Sequence, residues 1–166
     1  HRVYVSSLFT WELPRTVRTI QYYARSVARP ENIIVGGIGA TLMPDYISRK
    51  VQCTIIRGPV DRKGMLGSDL PSLEKTVPDY SILDSNEWDY QPDDCYFCRT
   101  TKGCIRRCKF CAVPHLEPRF SRYTYWRQEI RATRETFGER QDLVLLDNNV
   151  LANENVDAII RDIRNE

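Results

Sequence analysis

The chain has 166 residues, of which 42% are hydrophobic, and its formal net charge is +2. This length suits one ordinary domain or two small ones, and the hydrophobic share is large enough for a packed core. No apolar run approaches the roughly 20 residues that a membrane-spanning helix needs, and no secretory signal is visible. The sequence therefore predicts a cytoplasmic protein without a membrane partner.

Three short strands are predicted in the first 57 residues. They comprise residues 3–8, 32–35 and 51–56, which are rich in β-branched side chains. Helices predicted between them give the order β-α-β-α-β, which favours a parallel sheet. The predicted fold class is therefore α/β.

Two helices are predicted between these strands. Residues 15–29 carry apolar side chains at helical spacing, and Pro14 and Pro30 flank them as start and stop signals. Residues 41–49 predict a shorter helix, which follows the glycine-rich segment 36–40.

The middle of the chain, residues 58–94, predicts a long connector. It contains many glycines, prolines and acids, and its length suggests that it wraps another part of the molecule. Its acidic end runs into a basic, cysteine-rich segment, residues 95–116. This pattern is typical of a solvated surface, or of a loop that faces a carboxylate or a phosphate.

Further α/β structure is predicted in the last part of the chain. Residues 126–137 predict a helix with an apolar face and with Gly138 as its C-cap. Residues 142–146 predict a buried strand, and a final amphipathic helix follows with Asn153 as its N-cap.

Cys104, Cys108 and Cys111 have the spacing C-x3-C-x2-C. Three thiolates this close together can hold three irons of a four-iron, four-sulfur cluster, whereas a fully coordinated cluster takes four cysteines. One iron would then be open to a substrate or a cofactor. The spacing therefore favours a reactive cluster over a passive electron carrier.

Two other interpretations of these cysteines are open. Positions 104, 108 and 111 also share one face of a helix, as core cysteines would. The pairs Cys95-x2-Cys98 and Cys108-x2-Cys111 resemble a short zinc ribbon, which would make the chain a non-catalytic zinc-binding module. The zinc interpretation leaves Cys104 unexplained.

The cysteine segment resembles the radical S-adenosylmethionine (SAM) superfamily. Cys104-x3-Cys108-x-Phe110-Cys111 is similar to the C-x3-C-x-aromatic-C signature of that superfamily, and Gly103 precedes it in register. The resemblance implies that the three cysteines bind a [4Fe-4S] cluster and that Phe110 lies near the adenine of SAM. It implies reductive cleavage of SAM to methionine and a 5′-deoxyadenosyl radical, with a reductant such as flavodoxin or ferredoxin as partner.

The same resemblance implies that residues 95–166 form the first βα units of a partial TIM-type barrel. Ligands of α/β folds bind at the carboxyl ends of parallel strands. Asp147 and Asn149 follow a predicted strand, and we expect both to contact SAM. The alternative is that this Asp-Asn-Asn segment forms a turn or a helix cap.

Residues 1–57 resemble the C-terminal half of a cobalamin-binding, Rossmann-like domain that precedes the barrel in one radical SAM group. Ser6, Leu8, Gly36 and Gly37 match positions that line the pocket for the cobalamin tail in that group. The cobalt-ligating D-x-H-x-x-G motif is absent from the sequence. We therefore expect a degenerate or truncated domain, for which cobalamin is a possible cofactor but not the favoured one.

We expect the chain to be a fragment of a longer enzyme. It starts with His1, and after the cysteines it offers fewer βα units than a complete barrel of that superfamily. The substrate is not predicted. Nucleic acid is a candidate, since the basic residues Arg106, Arg107 and Lys109 and the Cys-Ala-Val-Pro sequence suggest an RNA methyl- or methylthio-transferase.

Overall fold

The computed structural model describes residues 1–67, 69–84, 94–123 and 125–165. The described residues form a mixed α/β structure with small parallel and antiparallel sheets, which confirms the predicted fold class at this level. No helix among them is both long enough and apolar enough to cross a membrane.

The helices and strands are numbered in chain order. The strands are β1 (Val3–Ser6), β2 (Ile33–Gly36), β3 (Thr54–Ile55), β4 (Cys95–Cys98), β5 (Thr101–Lys102), β6 (Ser121–Arg122) and β7 (Asp142–Leu145). The helices are α1 (Leu13–Tyr23), α2 (Ile38–Leu42), α3 (Pro44–Ser48), α4 (Ser81–Asp84), α5 (Val113–Leu116), α6 (Trp126–Phe137) and α7 (Val156–Arg164). Short 3-10 turns comprise Thr10–Glu12, Ala24–Ser26, Pro30–Asn32, Leu73–Lys75 and Val150–Ala152.

The chain divides into two compact units. The first comprises residues 1–74 and 110–117, and the second comprises residues 75–109 and 118–166. This division differs from the predicted boundaries, because the first part of the predicted connector belongs to the first unit and a later part belongs to the second. The connector residues 85–93 lie outside the described residues.

A three-stranded parallel sheet in the order β1-β2-β3 forms the centre of the first unit. Val3 pairs with Ile33 and Ser6 pairs with Gly36, so the carboxyl ends of β1 and β2 are level. The sheet has the predicted parallel order, but β3 is shorter than the predicted strand over residues 51–56.

Both predicted helices of the first unit differ from the prediction, and a proline interrupts the second one. The helix expected over residues 15–29 ends at Tyr23, and Arg29 is extended (φ −143°, ψ 142°) because it precedes Pro30. The helix expected over residues 41–49 is broken at Met43 (φ −131°, ψ 55°), which precedes Pro44. A proline restricts the residue before it to conformations outside the α region, so the break follows from the sequence.

The core of the first unit lies between α1 and the sheet. Leu13 and Ile20 of α1 pack in one cluster with Ile33 and Val35 of β2, and all four side chains are buried. Full burial of such a side chain stabilises the fold by about 1.5–3 kcal/mol. This cluster fixes the position of β2, whose carboxyl end leads into the glycine-rich segment.

The second unit contains a β-α-β arrangement formed by β4, α6 and β7. The two strands are parallel, with Cys95 opposite Asp142 and Cys98 opposite Leu145. Parallel strands need a crossover connection, and α6 lies in that connection. Trp126 and Ile130 of α6 are buried against the strands, as predicted, and Gly138 ends the helix with a φ of 91°.

The final helix has the predicted amphipathic character but a different N-cap. Ile159 is its buried residue, whereas Ile160 is exposed. Asn153 was expected at the N-cap position, which Asn155 occupies instead. The Asn153 side chain accepts a hydrogen bond from the Asn155 N–H (2.9 Å), so it stabilises the turn before the helix.

Candidate metal centre

The cysteine-bearing loop, residues 103–120, begins and ends at a short antiparallel pairing. Thr101 pairs with Arg122 and Lys102 pairs with Ser121. The Tyr123 N–H also donates a hydrogen bond to the Thr100 carbonyl (2.7 Å). The two ends of the loop are therefore fixed next to each other at the carboxyl end of β4.

Gly103 is the first residue of this loop and has a φ of 71°. This left-handed conformation suits glycine, because a side chain there would be strained. The chain therefore turns away from β5 directly before Cys104.

Two hydrogen bonds reach the sulfur of Cys104. The Arg106 N–H donates one (3.4 Å), and the side-chain amide of Asn149 donates the other (3.5 Å). The Arg106 bond and, to a smaller degree, the Asn149 bond lower the pKa of the Cys104 thiol. Both therefore favour the thiolate, which is the form that binds metal.

Asn149 reaches Cys104 because β7 runs parallel to β4. The Leu146 N–H donates to the Cys98 carbonyl (2.7 Å), which extends the pairing to the carboxyl ends of both strands. Asn149 follows one strand end, and Cys104 lies in the loop that follows the other. The structure thus brings together two of the predicted site residues.

Asp147 has partners within its own unit. Its carboxylate accepts hydrogen bonds from the backbone N–H groups of Thr100 (3.0 Å) and Thr101 (2.6 Å), and from both threonine hydroxyls. Both threonines are buried, so the carboxylate satisfies polar groups that are removed from water. These bonds show that Asp147 stabilises the turn after β4, and its expected contact with SAM stays a prediction.

The other residues of the radical SAM signature lie in different environments. Cys108 is exposed, Cys111 is half-buried directly before α5, and the Phe110 side chain is 93% exposed. Within residues 1–67, 69–84, 94–123 and 125–165, no three His, Cys, Asp or Glu side chains are grouped closely enough to hold a metal ion. Cys104, Cys108 and Cys111 are free thiols, so each of the three is chemically available as a ligand.

Cys95 and Cys98 lie in a strand, not in a metal-binding turn. Side chains three positions apart in a strand point to opposite faces, which does not favour a shared metal or a disulfide between them. Cys98 packs with Tyr96 in the core of the second unit. Burial, and to a smaller degree the charges of Glu129 and Asp147, raise the pKa of the Cys98 thiol to about 12. The zinc-ribbon interpretation needs both thiols at one metal, so strand geometry argues against it.

The glycine-rich segment packs against the loop that follows β1. Gly37 has a φ of 95°, and a Cβ atom there would lie 2.6 Å from the Ser7 carbonyl oxygen. A Cβ atom on Gly39 would lie 2.7 Å from the Ser7 hydroxyl. The space that these glycines leave is therefore filled by the chain itself, and it is not an open cradle for a cobalamin tail.

Ser7 holds this region together and was not among the predicted site residues. It is buried, its N–H donates to the Gly36 carbonyl (2.9 Å), and its carbonyl accepts from the Gly39 N–H (2.8 Å). Of the four residues matched to a cobalamin pocket, Ser6 and Gly36 are neighbours in the sheet, and Leu8 is exposed. The sequence gives no signal that separates Ser7 from Ser6, because only the folded contact distinguishes them.

Comparisons of the chain with protein-family models, with curated proteins and with solved structures gave no match. The functional interpretation therefore rests on the residues and contacts described above.

Proposed function

We propose that this chain is part of a radical SAM enzyme in which Cys104, Cys108 and Cys111 hold a [4Fe-4S] cluster. When bound, such a cluster supplies the electron that cleaves SAM to methionine and a 5′-deoxyadenosyl radical. The contact between Asn149 and Cys104 is the observation that carries the proposal. The two residues were selected by separate arguments, one from cysteine spacing and one from the end of a strand.

The three thiols have the donor chemistry and the sequence spacing that a cluster of this kind needs, although the structure does not group them at one point. The three cysteines are free, and they fall within residues 104–111 at the spacing that three-cysteine clusters use. The hydrogen bonds to Cys104 lower the pKa of its thiol, which favours the ligating form. Donors to sulfur also tune the reduction potential of iron–sulfur centres, so Arg106 and Asn149 would influence electron transfer.

Two further residues have proposed roles towards SAM. The side-chain amide of Asn149 both donates and accepts hydrogen bonds, which suits a ligand that carries an amino group and a carboxylate. The exposed ring of Phe110 offers an apolar face for an adenine. The finer fold assignment belongs to the same proposal: a partial Rossmann-like sheet, followed by the first βα units of a barrel. The parallel β1-β2-β3 sheet and the β4-α6-β7 arrangement support it.

Metal analysis after anaerobic reconstitution with iron and sulfide tests the cluster. We expect a brown protein that contains iron and sulfide, and we expect Cys104→Ser to lose both. Cys53→Ser is the matched control, because Cys53 packs against the core around Ile33 and Val35 and is not part of the C-x3-C-x2-C sequence, so the iron content should be unchanged. A colourless protein with stoichiometric zinc, retained in Cys104→Ser, would contradict the proposal and favour the zinc ribbon.

SAM binding and cleavage test the role of Asn149. In the reconstituted protein with a reductant, we expect formation of 5′-deoxyadenosine, and we expect Asn149→Ala to weaken SAM binding about tenfold, the value of one lost hydrogen bond. Asn148→Ala is the control, since this neighbouring amide is exposed. Equal SAM affinity in both variants would mean that Asn149 does not bind SAM. The cluster proposal would be unaffected by that result, because the metal analysis tests it separately.

A further inference from the structure

A cavity of about 300 Å³ lies at the carboxyl end of β3 in the first unit. Its walls are Thr41 and Leu42 of α2, Arg57 and Gly58 after β3, and His115 of α5. None of these residues belongs to the proposed cluster site. Ligands of α/β structures bind at the carboxyl ends of parallel strands, so the cavity occupies a favoured position.

Hydrogen bonds of Thr41 hold two walls of the cavity together. Its hydroxyl accepts a hydrogen bond from the Gly58 N–H (2.9 Å) and donates one to the Gly37 carbonyl (2.8 Å). Gly58 has a φ of 78°, and no heavy atom lies within 4 Å of the position that a Cβ atom would take. The turn that carries Arg57 is therefore fixed to α2 while its surface stays open.

The ionisable side chains of the cavity are basic ones. Arg57 and His115 approach it from different segments of the chain, and its walls include no carboxylate. In the part of the chain that the structure describes, Arg57 forms no ion pair. A guanidinium group offers paired donors that match the oxygens of a phosphate, and an imidazole can add a further donor.

We propose that this cavity binds the phosphate group of a small phosphorylated ligand. Its volume exceeds that of a phosphate ion and lies at the lower end of the range for small-molecule pockets, so part of the attached molecule would also fit. Leu42 supplies an apolar wall for that part.

The arginines of residues 18–26 do not form an equivalent site. Arg18 and Arg25 line a larger depression, of about 540 Å³, but all of its walls come from residues 18–26. Donors from a single helical segment approach a ligand from one side only. The cavity at β3 differs because three segments converge on it.

Calorimetric titration of the full chain with inorganic phosphate tests the proposal, with ionic strength held constant by chloride. We expect saturable binding of one phosphate, and we expect Arg57→Gln to weaken it at least about tenfold, since hydrogen bonds to charged groups are strong. His115→Gln should weaken it as well. Arg25→Gln is the control and should bind as the unmodified chain does, because Arg25 lies at the other depression.

Thermal unfolding of each variant checks that it is folded, which we expect because Arg57 and His115 are exposed. Absence of saturable phosphate binding, or equal binding by Arg57→Gln and the unmodified chain, would overturn the proposal. Acetate that binds as tightly as phosphate would also overturn it, because the site would then accept any oxyanion. The titration needs no cluster, so its result is independent of the proposed function.

Discussion

Two cysteines six positions apart illustrate how the surroundings of a thiol determine its chemistry. Cys98 is buried in a hydrophobic core, and its pKa is raised to about 12. Cys104 accepts hydrogen bonds from an N–H group and an amide, and its pKa is lowered. Metal ligation and nucleophilic attack both need the thiolate, so these pKa shifts favour Cys104 and disfavour Cys98.

The raised pKa of Cys98 makes stability depend on alkaline pH. Its thiol ionises from about pH 9 in the unfolded chain but only near pH 12 in the folded one. Between these values the unfolded state binds fewer protons, so the free energy of unfolding falls as pH rises. From pH 8 to pH 10 we expect this group to account for a loss of about 1 kcal/mol.

Urea unfolding at both pH values measures this effect. Between pH 8 and pH 10, the free energy of unfolding of Cys98→Ala should fall by about 1 kcal/mol less than that of the unmodified chain. Cys108→Ala is the control for the removal of a thiol, because Cys108 is exposed. If the free energy of unfolding falls equally between pH 8 and pH 10 in the unmodified chain and in both variants, folding does not protect the Cys98 thiol from ionisation.

Candidate site residues could be selected from the sequence where the spacing of nearby residues identifies them. The cysteine motif is read directly, and Asn149 was selected because the end of a strand can be located from a hydrophobic run and the polar residues after it. The structure adds its contact with Cys104, and its contact with SAM stays a prediction. Thr100 and Thr101 were missed because their role depends on Asp147, which is 46–47 positions away. Such a contact exists only after β4 and β7 have paired.

At the scale of elements, the close approach of α2 to the loop after β1 depends on glycine. Gly37→Ala would place a Cβ atom 2.6 Å from the Ser7 carbonyl oxygen and 3.0 Å from the Ser7 nitrogen. Both are backbone atoms that rotation of a side chain cannot move. The substituted residue would also keep a positive φ, which costs about 1–2 kcal/mol by itself.

We therefore expect Gly37→Ala to lower the free energy of unfolding by about 3 kcal/mol or more. Gly58→Ala is the matched control. It has a similar φ of 78° and no atom within 4 Å, so it should cost only about 1–2 kcal/mol. Chemical denaturation of both variants gives the comparison. If Gly37→Ala and Gly58→Ala lower the free energy of unfolding equally, the backbone around Ser7 can move away from the added methyl group.

Elements with a long apolar face were predicted well, and the elements around α2 and α3 were not. The buried face of α6 and its C-cap at Gly138 match the expectation, because twelve residues carry a clear period. Pro44 was visible inside the second predicted helix. The restriction that it places on Met43 outweighs the helical pattern of its neighbours, so two short helices form.

For the molecule as a whole, each unit has its own hydrophobic core. Ile33 and Val35 lie in the core of the first unit, and Trp126 and Ile130 lie in the core of the second. A unit can unfold without its neighbour only if it has a hydrophobic core of its own.

Hydrogen–deuterium exchange with mass spectrometry tests this independence. Ile33→Ala creates a cavity in the first core and should cost about 2–5 kcal/mol, so amides of β1 and β2 should exchange faster while those of β4 and β7 do not. Ile130→Ala is the converse variant and should affect β4 and β7 instead. Faster exchange throughout the chain in both variants would mean that the two units unfold together.

The sequence predicted the α/β class and the parallel order of the first sheet, but not the full division of the chain. Residues 110–117 belong to the first unit although residues 75–109 before them belong to the second. The contact of α5 with α2 causes this assignment, and it joins segments about 70 positions apart. The local periodicity of the sequence cannot show that a later segment belongs to the first unit.

The pairing of β5 with β6 joins the two ends of the cysteine loop, Thr101 and Lys102 on one side and Ser121 and Arg122 on the other. The loop is constrained a second time by α5, which packs against α2. Doubling the length of a flexible loop costs only about 0.6 kcal/mol of closure entropy. The segment between Gly103 and α5 can therefore change its length and its chemistry during evolution, whereas α5 has to keep its contact with α2.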